Sequence, residues 1–339
     1  MRTSDFDYEL PAELIAQEPA EPRDAARLMV LHRSSRQIEH RIFRELPDLL
    51  RPGDLLVVND TRVMAARLFG SRPDTGGRVE LLLVRPEGPR LWWVLMRPMR
   101  QAVPGRAFRV ETRAGIVPAA VIRRGEGEVL VEFEREIDPA TAGWIPLPPY
   151  IREFRGDPER YQTVYAREPR SAAAPTAGLH FTPELFARLE ERGIRRVAVT
   201  LDVGPGTFRP VKVEDPRQHR LHREHISVPV EAAEAIAETR RAGGRVVAVG
   251  TTVVRTLEHV AAERGAVEPY EGWADLMILP GHRFRTIDAM ITNFHLPRST
   301  LLMLVAAFAD REFVLEAYRE AVRQRYRFYS FGDAMLILP

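Results

Sequence analysis

Apolar positions along the chain fall into two rhythms. Leu55-Leu56-Val57-Val58 is a continuous apolar run, as in a strand buried on both faces. It ends abruptly in Asn59-Asp60-Thr61-Arg62. A different rhythm then begins. Arg78 to Arg85, Leu91 to Arg97, Ala107 to Thr112, Val117 to Arg123 and Glu128 to Glu134 read as strands. Turn signals separate them at Pro86-Glu87-Gly88-Pro89, Pro104-Gly105, Ala114-Gly115 and Gly125-Glu126-Gly127. Five or six short strands with no helical pattern between them predict a small antiparallel barrel or sandwich. The proline-rich join Ile145-Pro146-Leu147-Pro148-Pro149 closes it.

Beyond residue 149 helices and strands alternate. Thr182-Pro183-Glu184 has the order of an N-cap, a first-position proline and a first-turn acid, and Gly193 marks that helix's end. Val197 to Leu201 reads as a strand, Val230 to Arg241 as a helix, Arg245 to Val249 as a strand, and a further helix begins near Thr251. Met290-Ile291-Thr292 precedes Pro297, which opens a helix from Ser299 to Phe308, and Glu312 to Arg323 gives another. The predicted fold class is α/β: a layered main domain of residues 1–65 and 149–339 with a small antiparallel β-barrel inserted at 66–148.

Composition narrows the chemistry. Of 339 residues 45% are hydrophobic and the net charge is +2, which excludes a disordered chain. The longest apolar stretch, Leu301 to Phe308, is too short to span a bilayer. The N-terminus lacks the layout of a secretory signal. A cytoplasmic protein without membrane contact is expected. There is no cysteine, which removes thiol nucleophiles, iron–sulfur clusters and Cys-ligated zinc. Lys212 is the only lysine. Arginine suits phosphate, but with so small a net charge nucleic-acid binding needs a local patch. Candidates are Arg97, Arg100, Arg106 and Arg109, and the run Arg152, Arg155, Arg160, Arg167, Arg170. Composition alone favours a solvated mixed-charge surface for them.

Several predicted strands end in polar sequences: Asn59-Asp60-Thr61-Arg62; Asp202-Val203-Gly204-Pro205-Gly206-Thr207; Gly250-Thr251-Thr252 with Arg255; and Asn293-Phe294-His295 with Arg298. Ligands of open α/β sheets bind beyond the carboxyl ends of strands. Four such ends converging on one pocket is the functional reading; each alone also reads as a turn or a cap. His180 lies beside Phe181, and His219, His222 and His225 recur every third residue with Glu224 among them. Pro216 and Pro229 flank that run and argue against a metal-binding helix, so no metal is expected; a histidine beside a carboxylate serves better as a base.

These same residues carry a resemblance. Ala173 to Thr182, with Thr176, Gly178, His180 and Phe181, resembles the signature of the S-adenosylmethionine:tRNA ribosyltransferase-isomerases of queuosine biosynthesis. So do Asn59 to Val63, Val203 to Val211, Gly250 to Glu258, Ile291 to Leu304, Asp5 to Pro11 and Tyr329 to Ile337. Arg170 stands where that family usually has glycine, Asp202 where histidine is common, and Pro205 where alanine separates two glycines. Leu221 replaces a methionine before His222 and Glu224.

The resemblance implies an α/β domain with a smaller barrel, matching the turn spacing. It implies an enzyme that moves the ribosyl group of S-adenosylmethionine to 7-aminomethyl-7-deazaguanine in a tRNA anticodon. Epoxyqueuosine forms, adenine and methionine leave, and no metal or other cofactor is needed. Proton transfers in such a reaction need a base near neutral pKa, for which His180, His222, His295, Glu224 and Asp60 are candidates. The expected substrate contacts are Asn59, Arg62, Thr176, Gly178, Phe181, Gly204, Gly206, Thr207, Gly250, Thr251, Thr252, Arg255, Asn293 and Arg298. The barrel is a candidate RNA grip, with Trp92-Trp93 to stack a base. A monomer is expected. An S-adenosylmethionine-dependent RNA methyltransferase and a non-catalytic RNA-binding protein are the rival readings. The first lacks its glycine-rich loop; the second leaves the polar strand ends unexplained.

Overall fold

Strands built from Val, Ile, Leu and Met, and buried along their whole length, set the architecture. The computed structural model describes residues 1–152, 154–204, 211 and 213–339. The chain opens with β1 (Arg27–His32), β2 (Gln37–Ile42), a short helix α1 (Leu46–Leu49) and β3 (Leu55–Asn59). There follow β4 (Arg62–Val63), β5 (Arg67–Ser71), β6 (Arg78–Pro86), β7 (Leu91–Arg97), β8 (Ala107–Thr112), β9 (Gly115–Arg124), β10 (Val129–Phe133) and β11 (Pro169–Ser171). The last part holds α2 (Pro183–Glu191), β12 (Arg195–Leu201), β13 (Glu224–Val228), α3 (Val230–Arg241) and β14 (Val246–Val249). It finishes with α4 (Thr251–Arg264), β15 (Tyr270–Ala274), β16 (Ala289–Asn293), α5 (Thr300–Ala309), α6 (Arg311–Arg323) and β17 (Ala334–Leu338). The fold class is mixed α/β with a closed antiparallel barrel.

The larger compact unit comprises residues 1–61, 149–167 and 174–339. Its nine-stranded sheet runs β15-β13-β12-β3-β14-β16-β17-β1-β2. β12, β3, β14 and β16 are mutually parallel, while β13 and β17 run antiparallel to their neighbours β12 and β16. Four parallel strands therefore end on one edge, and the first residues of β13 and β17 join them there. One face packs Leu56, Val58, Val247, Val249 and Ile291 against Phe181, Leu185 and Leu189. α3 and α4 also pack on the sheet. Each such aliphatic side chain contributes about 1.5–3 kcal/mol on burial. The helix boundaries follow from capping: Thr182 Oγ1 accepts from Leu185 N at 3.1 Å and Ser299 Oγ from Leu302 N at 3.2 Å.

The opposite, amino edge is pinned by a buried ion pair. Arg245 grips both carboxylate oxygens of Asp54, at 3.0 and 2.6 Å, between the starts of β14 and β3.

The smaller unit comprises residues 62–148 and 168–173. Six strands close in the order β10-β7-β6-β5-β8-β9. Strict alternation fills the interior with Leu68, Val79, Leu81, Val94, Phe108, Val110, Val117, Val121, Val129 and Val131. β4 and β11 pair in parallel, and this draws 168–173 into the unit. Trp92 belongs to the barrel core. Trp93 points outward, but Arg85 and Arg123 cover its ring and its indole N–H bonds Glu87. At 7% exposure it offers no face to a nucleobase, so the sequence-based candidate stack at Trp92-Trp93 is not formed.

Candidate active site

The carboxyl edge of the larger unit's sheet carries a row of polar groups, strand by strand. At β3, Asn59 is fully buried. Its amide donates to Leu201 O at 3.0 Å and accepts from Leu201 N and Thr61 N, both at 3.1 Å. Asn59 thus ties the ends of β3 and β12 together, and its hydrogen-bonding capacity is spent on backbone. Asp60 accepts from Thr200 Oγ1 at 2.7 Å, and Arg167 Nε lies 3.5 Å from its other oxygen. Thr61 Oγ1 donates to Asp202 at 2.8 Å, and the second Asp202 oxygen faces His225 Nδ1 at 3.2 Å. The position where histidine was noted as common therefore holds a carboxylate that partners a histidine from β13.

Glu224 and Arg255 form a buried pair, with side chains 5% and 8% exposed. One Glu224 oxygen bonds Arg255 Nη1 and the other accepts from Gly204 N at 3.1 Å. Arg255 Nε donates to Leu276 O at 3.3 Å, whereas its Nη2 is buried without a hydrogen-bond partner. Glu224 was a candidate base. Both of its oxygens already accept, one from a guanidinium.

At the end of β14 the chain turns through Gly250, whose φ is +94°, a conformation costly for any residue with a Cβ. A side chain there would lie 3.5 Å from Thr252 Oγ1 and 3.6 Å from Ala177. Thr251 begins α4 and is buried; Thr252 Oγ1 is buried without a partner. The first amides of a fourteen-residue helix thus sit at the centre of the edge.

At β16, Asn293 is the hub. It accepts from Thr176 Oγ1 at 2.9 Å and donates to Tyr329 O at 3.1 Å and to His180 Nε2 at 3.3 Å. With Nε2 accepting, the His180 proton is assigned to Nδ1. The turn Thr176–His180 packs against β16. The His180 ring lies 5.0 Å from that of Phe43, and burial, with Arg327 and Arg23 adding to it, pushes its pKa down to about 3. In this environment the ring is neutral at physiological pH, with Nε2 accepting from the Asn293 amide. His295 turns away from the hub. Its Nε2 meets Thr292 Oγ1 at 2.8 Å, its backbone is held by Tyr8 and Tyr318, and burial lowers its pKa to about 3.

Other sequence candidates land elsewhere. Phe181 is fully buried and stacks on Phe186 at 4.7 Å, a core residue rather than a ligand contact. Arg298 is exposed, with φ +59°, and pairs with Asp7 of the N-terminal segment. Arg62 falls in the barrel unit. His222 is exposed. Gly178 lies against Tyr165, whose Oη stands 2.0 Å from where a Cβ would be. Gly206 and Thr207 lie outside the described residues. Among the described residues no three His, Asp or Glu side chains gather as metal ligands.

Sequence reasoning did not single out Tyr165. Its hydroxyl is buried without a hydrogen-bond partner, it feels the charge of Asp60, and burial raises its pKa. It lies in Gln162-Thr163-Val164-Tyr165-Ala166, a loop with no periodic signal. Tyr165 lies against Gly178, Ala177 against Gly250, and α4 carries on to Thr252 and Arg255. With strands about 4.8 Å apart, Asp60 and Asn293 flank the end of β14 across roughly 10 Å.

The family model described as queuosine biosynthesis protein matches residues 3–337. The S-adenosylmethionine:tRNA ribosyltransferase-isomerase of Symbiobacterium thermophilum is 58% identical, with both chains covered completely. That of Moorella thermoacetica is 55% identical, again over all of both chains. Among solved structures, the S-adenosylmethionine tRNA ribosyltransferase of Thermotoga maritima aligns over 99% of this chain and 100% of its own, with 44% identity and a TM-score of 0.58. No described helix is long and apolar enough to cross a membrane.

Proposed function

Since this chain belongs to the queuosine biosynthesis family, we propose that it acts as an S-adenosylmethionine:tRNA ribosyltransferase-isomerase. It transfers the ribosyl group of S-adenosylmethionine to 7-aminomethyl-7-deazaguanine in the tRNA anticodon and rearranges it to the epoxycyclopentanediol of epoxyqueuosine. Adenine and methionine are released.

The supporting observation is a set of buried polar atoms left without partners where the parallel strands end: Thr252 Oγ1, Arg255 Nη2 and Tyr165 Oη. Buried groups of this kind are costly unless a ligand completes them. Arg255 Nη2 and the first amides of α4 suit the methionine carboxylate. Thr252 and Tyr165 suit ribose hydroxyls. Asp60 is then the carboxylate that faces the sulfonium side, where the acidified ribose 5′ carbon must lose a proton. Its contact with the Thr200 hydroxyl fixes its orientation. The Asp202–His225 pair is the second proton-handling group, suited to the neutral amine that must attack. His180 and His295, held neutral, keep the edge in shape. No metal or further cofactor enters this scheme.

The test is incubation with S-adenosylmethionine and tRNA bearing the deazaguanine, with adenine and methionine measured. Asp60→Asn is expected to abolish adenine release while tRNA binding persists. S-adenosylhomocysteine as the product would make the protein a methyltransferase. Binding of tRNA with no turnover would make it a non-catalytic RNA-binding protein.

A further inference from the structure

The barrel's outer surface carries exposed apolar side chains. Among the described residues, five of the exposed large apolar side chains lie on it: Phe69, Val103, Ile116, Ile122 and Trp144. Phe69 and Trp144 are 41% and 37% exposed and their rings meet at 5.6 Å. Their backbones are tied into the barrel. Phe69 projects from β5 between Leu68 and Gly70, which face inward. Trp144 is bonded to Arg67 in both directions at 2.9 Å. Gly143 permits this approach, because a Cβ there would lie 2.4 Å from Arg67 O.

Charge surrounds the pair. In register with Ser71, two residues along β5 from Phe69, stand Arg78 of β6 and Arg109 of β8, about 7 Å from the aromatic level. Neither has an ion-pair partner among the described residues. At the level of Phe69 stand Glu80, which Arg67 neutralises at 2.8 Å, and Glu111. Three guanidiniums thus face two carboxylates around two exposed rings. Exposed aromatics beside unpaired arginines match unstacked nucleobases and their phosphates better than a folded protein surface.

We propose that this face binds a single-stranded segment of the tRNA substrate, with bases stacked on Phe69 and Trp144 and phosphates at Arg78 and Arg109. The proposal rests on the ribosyltransferase reading above and assigns the RNA-binding surface within it.

The test is tRNA binding and steady-state turnover by the full-length protein with Phe69→Ala and Trp144→Ala combined. Both side chains lie on the surface, and circular dichroism and Tm confirm that the variant folds. Affinity and KM for tRNA are expected to worsen roughly ten- to hundredfold. Adenine release at saturating tRNA should stay within about twofold of wild type. Phe69→Tyr should retain binding. Arg78→Gln with Arg109→Gln should flatten the log–log salt dependence by about 1.4. Unchanged tRNA affinity in the double aromatic variant overturns the proposal. So does a wild-type dimer that the variant splits into monomers without loss of tRNA affinity. Wild-type protein that binds tRNA but releases no adenine refutes the activity, and a surface assigned within that activity falls with it.

Discussion

Replacing either partner of the Glu224–Arg255 pair separates positioning from proton transfer. The two side chains are 5% and 8% exposed, so neither charge can turn to water when its partner is lost. Removing one partner of a buried pair costs about 3–5 kcal/mol. Arg255→Met keeps the apolar stem but removes the guanidinium from a buried carboxylate that also accepts from Gly204 N. Glu224→Gln keeps the shape but sets amide hydrogens against either the guanidinium or the Gly204 N–H. Each single variant should lose roughly 3 kcal/mol in urea unfolding followed by circular dichroism. The double variant should lose much less than the sum, a coupling of about 2 kcal/mol or more. In kinetics, Arg255→Met should raise KM for S-adenosylmethionine through loss of the Nη2 donor. A Glu224→Gln protein within about 1 kcal/mol of wild-type stability, yet with turnover down by orders of magnitude and one limb of its pH profile gone, would show Glu224 to be the base and refute this reasoning.

Three further outcomes are expected. His180 has a folded pKa of about 3 against 6.5 in the unfolded chain. Its contribution is complete above pH 6.5 and is lost as pH falls toward 3, reaching about 2 kcal/mol at pH 5; His180→Gln should flatten the fall of unfolding free energy between pH 7 and 5. Gly178→Ala places a Cβ 2.0 Å from Tyr165 Oη and should cost about 1–3 kcal/mol by overpacking; Tyr165→Phe in the same protein, measured by Tm, should restore part of it. Asp54→Asn breaks the two-pronged contact with Arg245 at the amino edge and should cost about 3 kcal/mol, with kcat unchanged because the polar row lies at the other end of the strands.

What the sequence disclosed and what it hid follow the range of each signal. Barrel strands β7 and β8 were read to the residue, because period-two alternation and glycine–proline turns are local. β5 was missed: Arg67-Leu68-Phe69-Gly70-Ser71 carries an internal glycine and too little alternation. β13 was obscured by its own histidines, since Glu224, His225 and Ser227 read as polar loop although Ile226 and Val228 are buried. The polar strand ends were visible, but not which of them were already consumed. Asn59 and Thr252 look alike in sequence as hydrogen-bonding residues at strand ends. Only packing shows that the amide of Asn59 is spent on Leu201 while the hydroxyl of Thr252 is left open. His180 and His295 drew attention as bases because an unperturbed imidazole titrates near neutrality. Burial, which depends on distant segments, takes that away.

The chain leaves the larger unit after Thr61 and returns to it at Pro149, and in the returning stretch the backbone N–H of Arg167 donates to Asp60 O at 2.8 Å. To that unit residues 62–148 are one closed loop, and the returning chain is stapled beside Asp60. Length and content of that loop can drift, by insertion, trimming or wholesale exchange, without moving the carboxylate at its neck. A lineage can therefore retune what the loop grips while leaving the proposed chemistry untouched.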